Sequence, residues 1–401
     1  MQAKSPNRRL EARQKNQSKG LVTRVLRLRI KDKHANYLRS VAREVNLVWN
    51  FCQESGLKIL ERERRFCSSG DLHKLTVGAS KELPLHSQTI QAINEEYVLR
   101  RVQFKKRKLR WRVSDPKSAR YSLGWIPFKK AAIKYKNGQI HLAGVALSLW
   151  DSYGLSEYDL GSGNISEDAR GRWYINITVK VAKKPLPISC LAQESIGLDL
   201  GLKDLLASSN GTKVEAQRFY RDLEDDLAKA QRAKKKRRVQ AIHAKISNRR
   251  KDHLHKLSTA LVRTHGAIFV GNVNSLALVK TRMAKSVLDA GWGQFKTMLQ
   301  YKSDDAGRWF KEVDEAYSTQ MCHCCGSISG PKGQEGLDVR QWDCPECGAQ
   351  HDRDTNAAKN IQARGLKWLD EQFSIAVEAK ACEVAMNEVA SKESTGVGLT
   401  L

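Results

Sequence analysis

The chain has no apolar run approaching the roughly 18 residues that a membrane-spanning helix needs, and no hydrophobic signal core near its N-terminus. Acidic residues are scarce. Asp plus Glu total 43 against 70 Lys plus Arg, a formal net charge of +27 in 401 residues. Such a surplus attracts a polyanion, because each neutralised phosphate releases a condensed counterion. A disulfide framework is missing too. There are nine cysteines, an odd number, and only four fall into tight pairs. In a long chain without a secretion signal, that points to thiols and metal rather than bridges. The expectation is a cytoplasmic protein of two or three domains, with nucleic acid and no membrane as partner.

What is present reads as alternating modules. Residues 1–19 form a polar, basic tail. Leu21 to Ile30 alternates as a strand, and Leu38, Val41, Val45 and Val48 then recur at helical spacing over 34–57. A second helix is expected over 86–108, its far end carrying Arg100, Arg101, Lys105 and Lys106 beside Trp111. Asn137-Gly138 between two apolar pairs is a hairpin signal, and Trp173 to Val181 alternates like a half-buried strand. Lys183 to Pro187 resembles a linker. Beyond it, Ser195 to Gly201 is an apolar strand, with antiparallel neighbours expected at 205–208 and 214–219. A helical region over 221–263 has a basic run, Lys234 to Arg238, at its centre. Strands follow at 267–270 and 309–313, then a helix from Asp354 to Arg364 and a fraying tail.

Cys322-x-x-Cys325, 18 intervening residues and Cys344-x-x-Cys347 have the spacing of two metal knuckles. Gly326 and Gly348 follow the pairs, where such turns call for a positive φ. Four thiolates close the coordination sphere, so one Zn²⁺ is expected, structural rather than catalytic, with His351 as a substitute ligand. Asp199 ends an apolar strand, where a carboxylate is costly unless paired or metal-bound. Asp354 stands at a helix start, either as an N-cap or as a metal ligand. Two acids at element ends in a basic protein suggest a two-metal phosphodiester site, with Mg²⁺ ions roughly 3.5–4 Å apart.

Gly197-Leu-Asp-Leu-Gly201, Arg249-Arg-Lys-Asp252, Ser318-Thr-Gln-Met-Cys322, the second knuckle and His351-Asp-Arg-Asp-Thr-Asn-Ala-Ala-Lys-Asn-Ile361 resemble the TnpB family. These are transposon-encoded, RNA-guided DNA endonucleases related to compact type V CRISPR effectors. The resemblance spans residues 20–365 and is most specific in the C-terminal half, where Gly330-Pro-Lys-Gly333, Gly336-Leu and Arg340-Gln-Trp lie between the knuckles. It implies an α+β chain. A wedge β-barrel (20–33 and 116–190) is interrupted by a helical recognition module (34–115). An RNase H-like (RuvC) α/β nuclease domain follows (191–317 and 351–366), with a four-cysteine zinc-ribbon insert that binds target nucleic acid (318–350) and a tail (367–401). It also implies a monomeric ribonucleoprotein that carries a transposon-derived guide RNA. Such a protein reads a short adjacent motif in duplex DNA and leaves the remaining sequence to base pairing with a single strand.

One position departs from the family pattern. The second catalytic residue is commonly a Glu ending the strand that here reads Ala267-Ile-Phe-Val-Gly271, and glycine cannot bind a metal. Either the chain is a guided DNA-binding repressor without cleavage, or the carboxylate comes from the next strand. That strand carries Glu312, Asp314 and Glu315. Glu315 is the first choice, because it sits where the strand ends, and Glu312 the second. The expected catalytic and Mg²⁺-binding set is therefore Asp199, Glu315 and Asp354. Arg100, Arg101, Lys105, Lys106, Lys235, Arg238, Arg249, Arg250 and Arg353 are the cations expected to meet nucleic acid.

Overall fold

The computed structural model describes residues 21–182, 184, 194–273, 278–332, 336 and 338–394, with side chains as far as 374. The expected basic tail, most of the 183–187 linker and residues 395–401 lie outside that set. The chain divides into two compact units, one ending at Ala182 and the other beginning at Lys183. Among the described residues no helix is long and apolar enough to cross a membrane.

The first unit is built on one antiparallel, barrel-like sheet. Its strands are β1 (Leu21–Ile30), β2 (Trp125–Phe128), β3 (Ile133–Lys136), β4 (Gln139–Leu142), β5 (Val145–Trp150), β6 (Leu160–Glu167) and β7 (Trp173–Ala182), in the order β2-β6-β7-β1-β5-β4-β3. Period-two patterning sets the register. Leu26 opposes Ile177 and Leu28 opposes Ile175, and all four are buried. The β3–β4 turn is Asn137-Gly138, both with positive φ (52° and 73°), as a two-residue hairpin of this twist requires.

Four helices interrupt the sheet after β1: α1 (Ala35–Glu63), α2 (Ser69–Leu75), α3 (Ala79–Glu82) and α4 (Ser87–Gln103). α1 runs longer than its expected end at 57. α4 is shorter than expected, because Lys105 takes φ 50° and the like-charged run beyond it has no apolar face to pack. Those cations therefore stand on coil rather than helix. Trp49 and Trp125 meet edge to face at 6.0 Å, and Trp49 is buried in the core.

The second unit holds a five-stranded sheet: β8 (Ser195–Leu200), β9 (Asp204–Ser208), β10 (Lys213–Glu215), β11 (Ala267–Gly271) and β12 (Trp309–Val313). The order is β10-β9-β8-β11-β12. The first three strands are an antiparallel meander, and β8, β11 and β12 are mutually parallel. Helices cover both faces, which explains the unbroken apolar run of β11. Ile268 and Val270 face α6 (Lys236–Thr264), α7 (Ala284–Ala290) and α8 (Trp292–Ala306), whereas Ala267 and Phe269 face α9 (Arg353–Ser394).

Three expectations are corrected here. The 221–263 region is two helices, α5 (Glu224–Arg232) and α6, packed through Leu227, Ile242 and Ile246. The basic run does not sit mid-helix. It starts in the turn between them, where Lys234 takes φ 51°. Trp292, like Trp49, packs in the core, at the start of α8. The last helix continues to Ser394 rather than ending at Arg364, so 367–394 is no tail.

Close approach of α9 to β8 depends on Gly197. A Cβ there would collide with the carbonyl oxygen of Ala358 in α9. Gln362 fixes the same contact, donating to the Ser195 carbonyl oxygen at 3.0 Å. That approach brings the first turn of α9 to the sheet edge where Asp199 lies.

Candidate active site and metal centre

Parallel strands β8, β11 and β12 end together. Val270 is in register with Leu198, and Gly271 with Val313, so the next positions form a row of Asp199, Gly271 and the turn after Val313. The carboxyl ends of parallel strands are the general place for a site in such sheets. Gly271 leaves a gap in that row, and Glu315 fills it. A Cβ on Gly271 would stand 2.5 Å from Glu315 Oε2 and 3.2 Å from Glu315 Cβ. The carboxylate of Glu315 therefore occupies the space that a side chain at 271 would enter. Its turn is held by Asn272, whose Oδ1 accepts from the Glu315 N–H at 3.2 Å, and by Arg364, which donates to the Asp314 carbonyl oxygen at 2.7 Å. Glu312 is engaged elsewhere, 2.6 Å from Lys296 Nζ on α8.

Asp354 lies in the first turn of α9, but it is not the cap. Asp352 takes that role, accepting from the Thr355 N–H at 3.0 Å. Sequence reading missed Asp352, and the same residue pairs with Lys213 at 2.8 Å. Asp354 instead receives Arg340 on Oδ2 at 3.0 Å and Arg353 on Oδ1 at 3.1 Å. Arg353 is thus spent on Asp354 and the Gly336 carbonyl oxygen, at 3.0 Å.

Asp199 feels the other two carboxylates. Desolvation pushes Asp199 up to about 7, and Asp354 and Glu315 push the same way, with Arg353 opposing. Glu315 is also raised, first by desolvation, against the pull of Lys296. Raised carboxylates at one strand edge mark a site prepared for positive charge. The oxygens of the three do not converge within 4.8 Å of one another, the arrangement reached only by cysteine-containing sets among the described residues.

The four paired cysteines do converge. Cys322 Sγ lies 3.7 Å from Cys347 Sγ, and Cys325 Sγ lies 3.7 Å from Cys344 Sγ. A tetrahedron of thiolates at the usual zinc–sulfur distance has edges of about 3.8 Å, so the set can hold a metal such as zinc. Gly326 and Gly348 have φ of 80° and 67°, the positive values the knuckle turns call for. The Ser329 hydroxyl, 3.4 Å from Cys344 Sγ, helps hold that thiol down to about 6. His351 is buried, with Nε2 3.0 Å from Cys322 Sγ, beside the four-cysteine set. With Cys322 and Cys324 it makes a second possible ligand group.

Asn356 and Asn360, one turn apart on α9, latch the knuckles to the helix that carries Asp354. Both amides donate to the carbonyl oxygens of Ser318 and Met321, and Asn356 Oδ1 accepts from the His323 N–H at 3.0 Å. Sequence reading passed over them. The signal was there, since two buried asparagines at i and i+4 are poor helix formers that need another reason.

Of the expected nucleic-acid cations, Arg100, Lys105, Lys106, Lys235, Arg238 and Arg249 are exposed. Arg101 is a correction. It is 5% exposed, donates to the Cys67 carbonyl oxygen at 2.7 Å and stacks over Phe66, so packing uses it. Arg250 is likewise held, 2.7 Å from buried Asp289.

A family profile described as "Cas12f1-like, TNB domain" matches residues 292–361, and one described as "Probable transposase" (OrfB_IS605) matches 178–282. A Streptomyces pristinaespiralis protein named "Putative RNA-guided DNA endonuclease" is 34% identical over 267 residues. Acanthamoeba polyphaga mimivirus "TnpB-like protein L79" is 26% identical over 202 residues. Both profiles and the relatives' names bear out the resemblance to the TnpB family. The matches cover 62% and 44% of this chain, and 65% and 38% of those relatives. In fold it is similar to the protein in "Cryo-EM structure of the Cas12f1-sgRNA-target DNA complex". That match has a TM-score of 0.56 at 13% identity and covers 86% of this chain and 99% of that one.

Proposed function

We propose that this chain is an RNA-guided, Mg²⁺-dependent DNA endonuclease whose catalytic carboxylates are Asp199, Glu315 and Asp354. The observation that carries the proposal is the Glu315 carboxylate standing in the space above Gly271. The five-stranded order, with a meander followed by two parallel strands, supports an RNase H-like (RuvC) reading of the second unit. The residues suit a hard divalent cation: their donors are carboxylate oxygens, and the raised Asp199 lacks enough positive charge to stay ionised cheaply. When bound, Mg²⁺ supplies charge neutralisation at the scissile phosphate and lowers the pKa of water. The chain's own part is to hold Asp199 and Glu315 at the ends of rigid parallel strands and Asp354 on a helix clamped to β8. Arg340 and Arg353 neutralise Asp354 until a cation arrives, and they then offer donors to phosphate oxygens.

The relatives' names, and the likeness in fold to the protein of the Cas12f1-sgRNA-target DNA complex, support a guide RNA and target DNA as partners. The experiment is purification of the protein from cells carrying its surrounding DNA, followed by sequencing of the bound nucleic acid. A single discrete RNA species is expected. Recovery of no RNA, or of random fragments, would sink the reading.

The four cysteines are assigned one structural Zn²⁺. Cys344→Ser is expected to lower bound zinc from about one equivalent to near zero and to destabilise the second unit by several kcal/mol, a part of the roughly 10–16 kcal/mol that structural zinc contributes in small zinc domains. Metal analysis and thermal melting check this. Full retention of zinc by Cys344→Ser would reassign the ligands toward Cys324 and His351.

A further inference from the structure

Beside α1 of the first unit lies a cavity of about 590 Å³, inside the roughly 300–1,000 Å³ range of ligand pockets. It has room for a nucleotide. One wall is the coil Leu109–Arg112, which runs on to Ser114. Asn46, Asn50 and Gln53, on one face of α1, pin that coil by its backbone and side chains. Gln53 donates to the Leu109 carbonyl oxygen at 2.6 Å and accepts from the Leu109 N–H at 3.2 Å. Asn50 makes the same double contact with Arg112, both at 2.9 Å, and Asn46 donates to Ser114 Oγ at 2.9 Å. Side-chain amides thus replace a neighbouring strand and fix a segment that would otherwise be mobile.

What this coil and the segment just before it display is aromatic and cationic. Trp111 is 39% exposed and Phe104 54% exposed. Lys108 Nζ lies 5.6 Å from the Trp111 ring centroid. Lys106 and Arg110 complete the rim, and no Asp or Glu lines the cavity. Arg100 is already paired with Glu96 at 2.6 Å, so the lysines and Arg110 carry the local field. An indole face beside uncompensated cations matches a base with its phosphate, and a prefixed wall reduces the ordering cost of binding.

We propose that this cavity receives one unpaired nucleotide of the RNA the protein carries, with the base against Trp111 and the phosphate among Lys106, Lys108 and Arg110. The proposal rests on the RNA-binding reading above. RNA is chosen over DNA because folded RNA already presents unstacked loop bases, whereas a duplex must first be unpaired to yield one.

The test uses RNA extracted from the purified full-length ribonucleoprotein, end-labelled and rebound to RNA-free protein. Trp111→Ala is expected to weaken binding about ten- to hundredfold, the scale of one base–aromatic stack, with the salt slope unchanged. Trp111→Phe is expected to recover most of it. Lys106→Ala/Lys108→Ala is expected to reduce the salt slope by about two phosphate contacts. Ultraviolet crosslinking of the complete complex with target DNA should join the 104–111 peptide to an RNase-sensitive product. Binding by Trp111→Ala within about twofold of wild type, with an unchanged melting temperature, overturns the proposal, as does a crosslink removed only by DNase. If no RNA copurifies, the broader reading fails. If RNA copurifies and Trp111→Ala binds it normally, only this inference fails.

Discussion

Glu315→Gln is expected to lower Mg²⁺-supported DNA cleavage by more than about a hundredfold, a loss that even the outer partners of metal ligands can cause. Glu312→Gln is expected to stay within about threefold of wild type, because the Glu312 carboxylate is half exposed and pairs with Lys296 rather than filling the gap above Gly271. The physical reason is the gap above Gly271, which the Glu315 carboxylate fills from the neighbouring strand. A reciprocal exchange sharpens the test. Gly271→Glu alone places a new Cβ 2.5 Å from Glu315 Oε2 and adds a like charge, so it is expected to lose both stability and activity. Gly271→Glu/Glu315→Ala removes the 2.5 Å collision, leaves the 3.2 Å contact with the Cβ of residue 315, and returns a carboxylate to the row. It is expected to cleave measurably faster than Glu315→Gln. Timed cleavage of one labelled duplex by all four variants separates these outcomes, and loss of activity confined to Glu312→Gln would reassign the ligand.

Asp199→Asn is expected to abolish cleavage, again by more than about a hundredfold, while making the metal-free protein more stable. Burial, reinforced by Asp354 and Glu315, raises the folded-state value from 3.8 to about 7. Between those two values the folded state keeps a proton that the unfolded chain releases. Stability therefore falls as pH rises through this window, and the full cost is present above it. At pH 8 in chelator the asparagine variant is expected to be more stable by up to a few kcal/mol, and the difference shrinks below pH 4. Melting curves with and without Mg²⁺ check the sign, since a cation bound by Asp199 should stabilise wild type and leave Asp199→Asn unmoved. A variant that melts lower than wild type in chelator at pH 8 would contradict a strained, metal-seeking carboxylate.

Much of this arrangement could be read from residue patterns, and the reasons are local. Strand periodicity at Trp173–Val181, the Asn137-Gly138 turn and the two knuckles each depend on neighbours a few positions away. The place of Glu315 followed from parallel strand adjacency, which a β-strand, a helix and another β-strand impose with little freedom. What escaped reading depends on distant partners. Lys296 on Glu312 and Arg340 on Asp354 are ion pairs that no spacing announces. Gly365 follows the expected helix end like a C-terminal stop. In the fold it lies mid-helix, and a Cβ there would enter the ring of Phe269, so packing rather than termination requires it. Arg101 stands among surface cations in the sequence, yet Cys67 and Phe66 draw it inside.

The most direct measurement is cleavage of a plasmid by the purified ribonucleoprotein after the guide segment of its copurified RNA has been rewritten to a chosen target. A cut at the new target, dependent on Mg²⁺ and lost in Asp199→Asn, is the result expected. Tight binding to the rewritten target with no product at any Mg²⁺ concentration would contradict the nuclease and leave a guided DNA-binding repressor in its place.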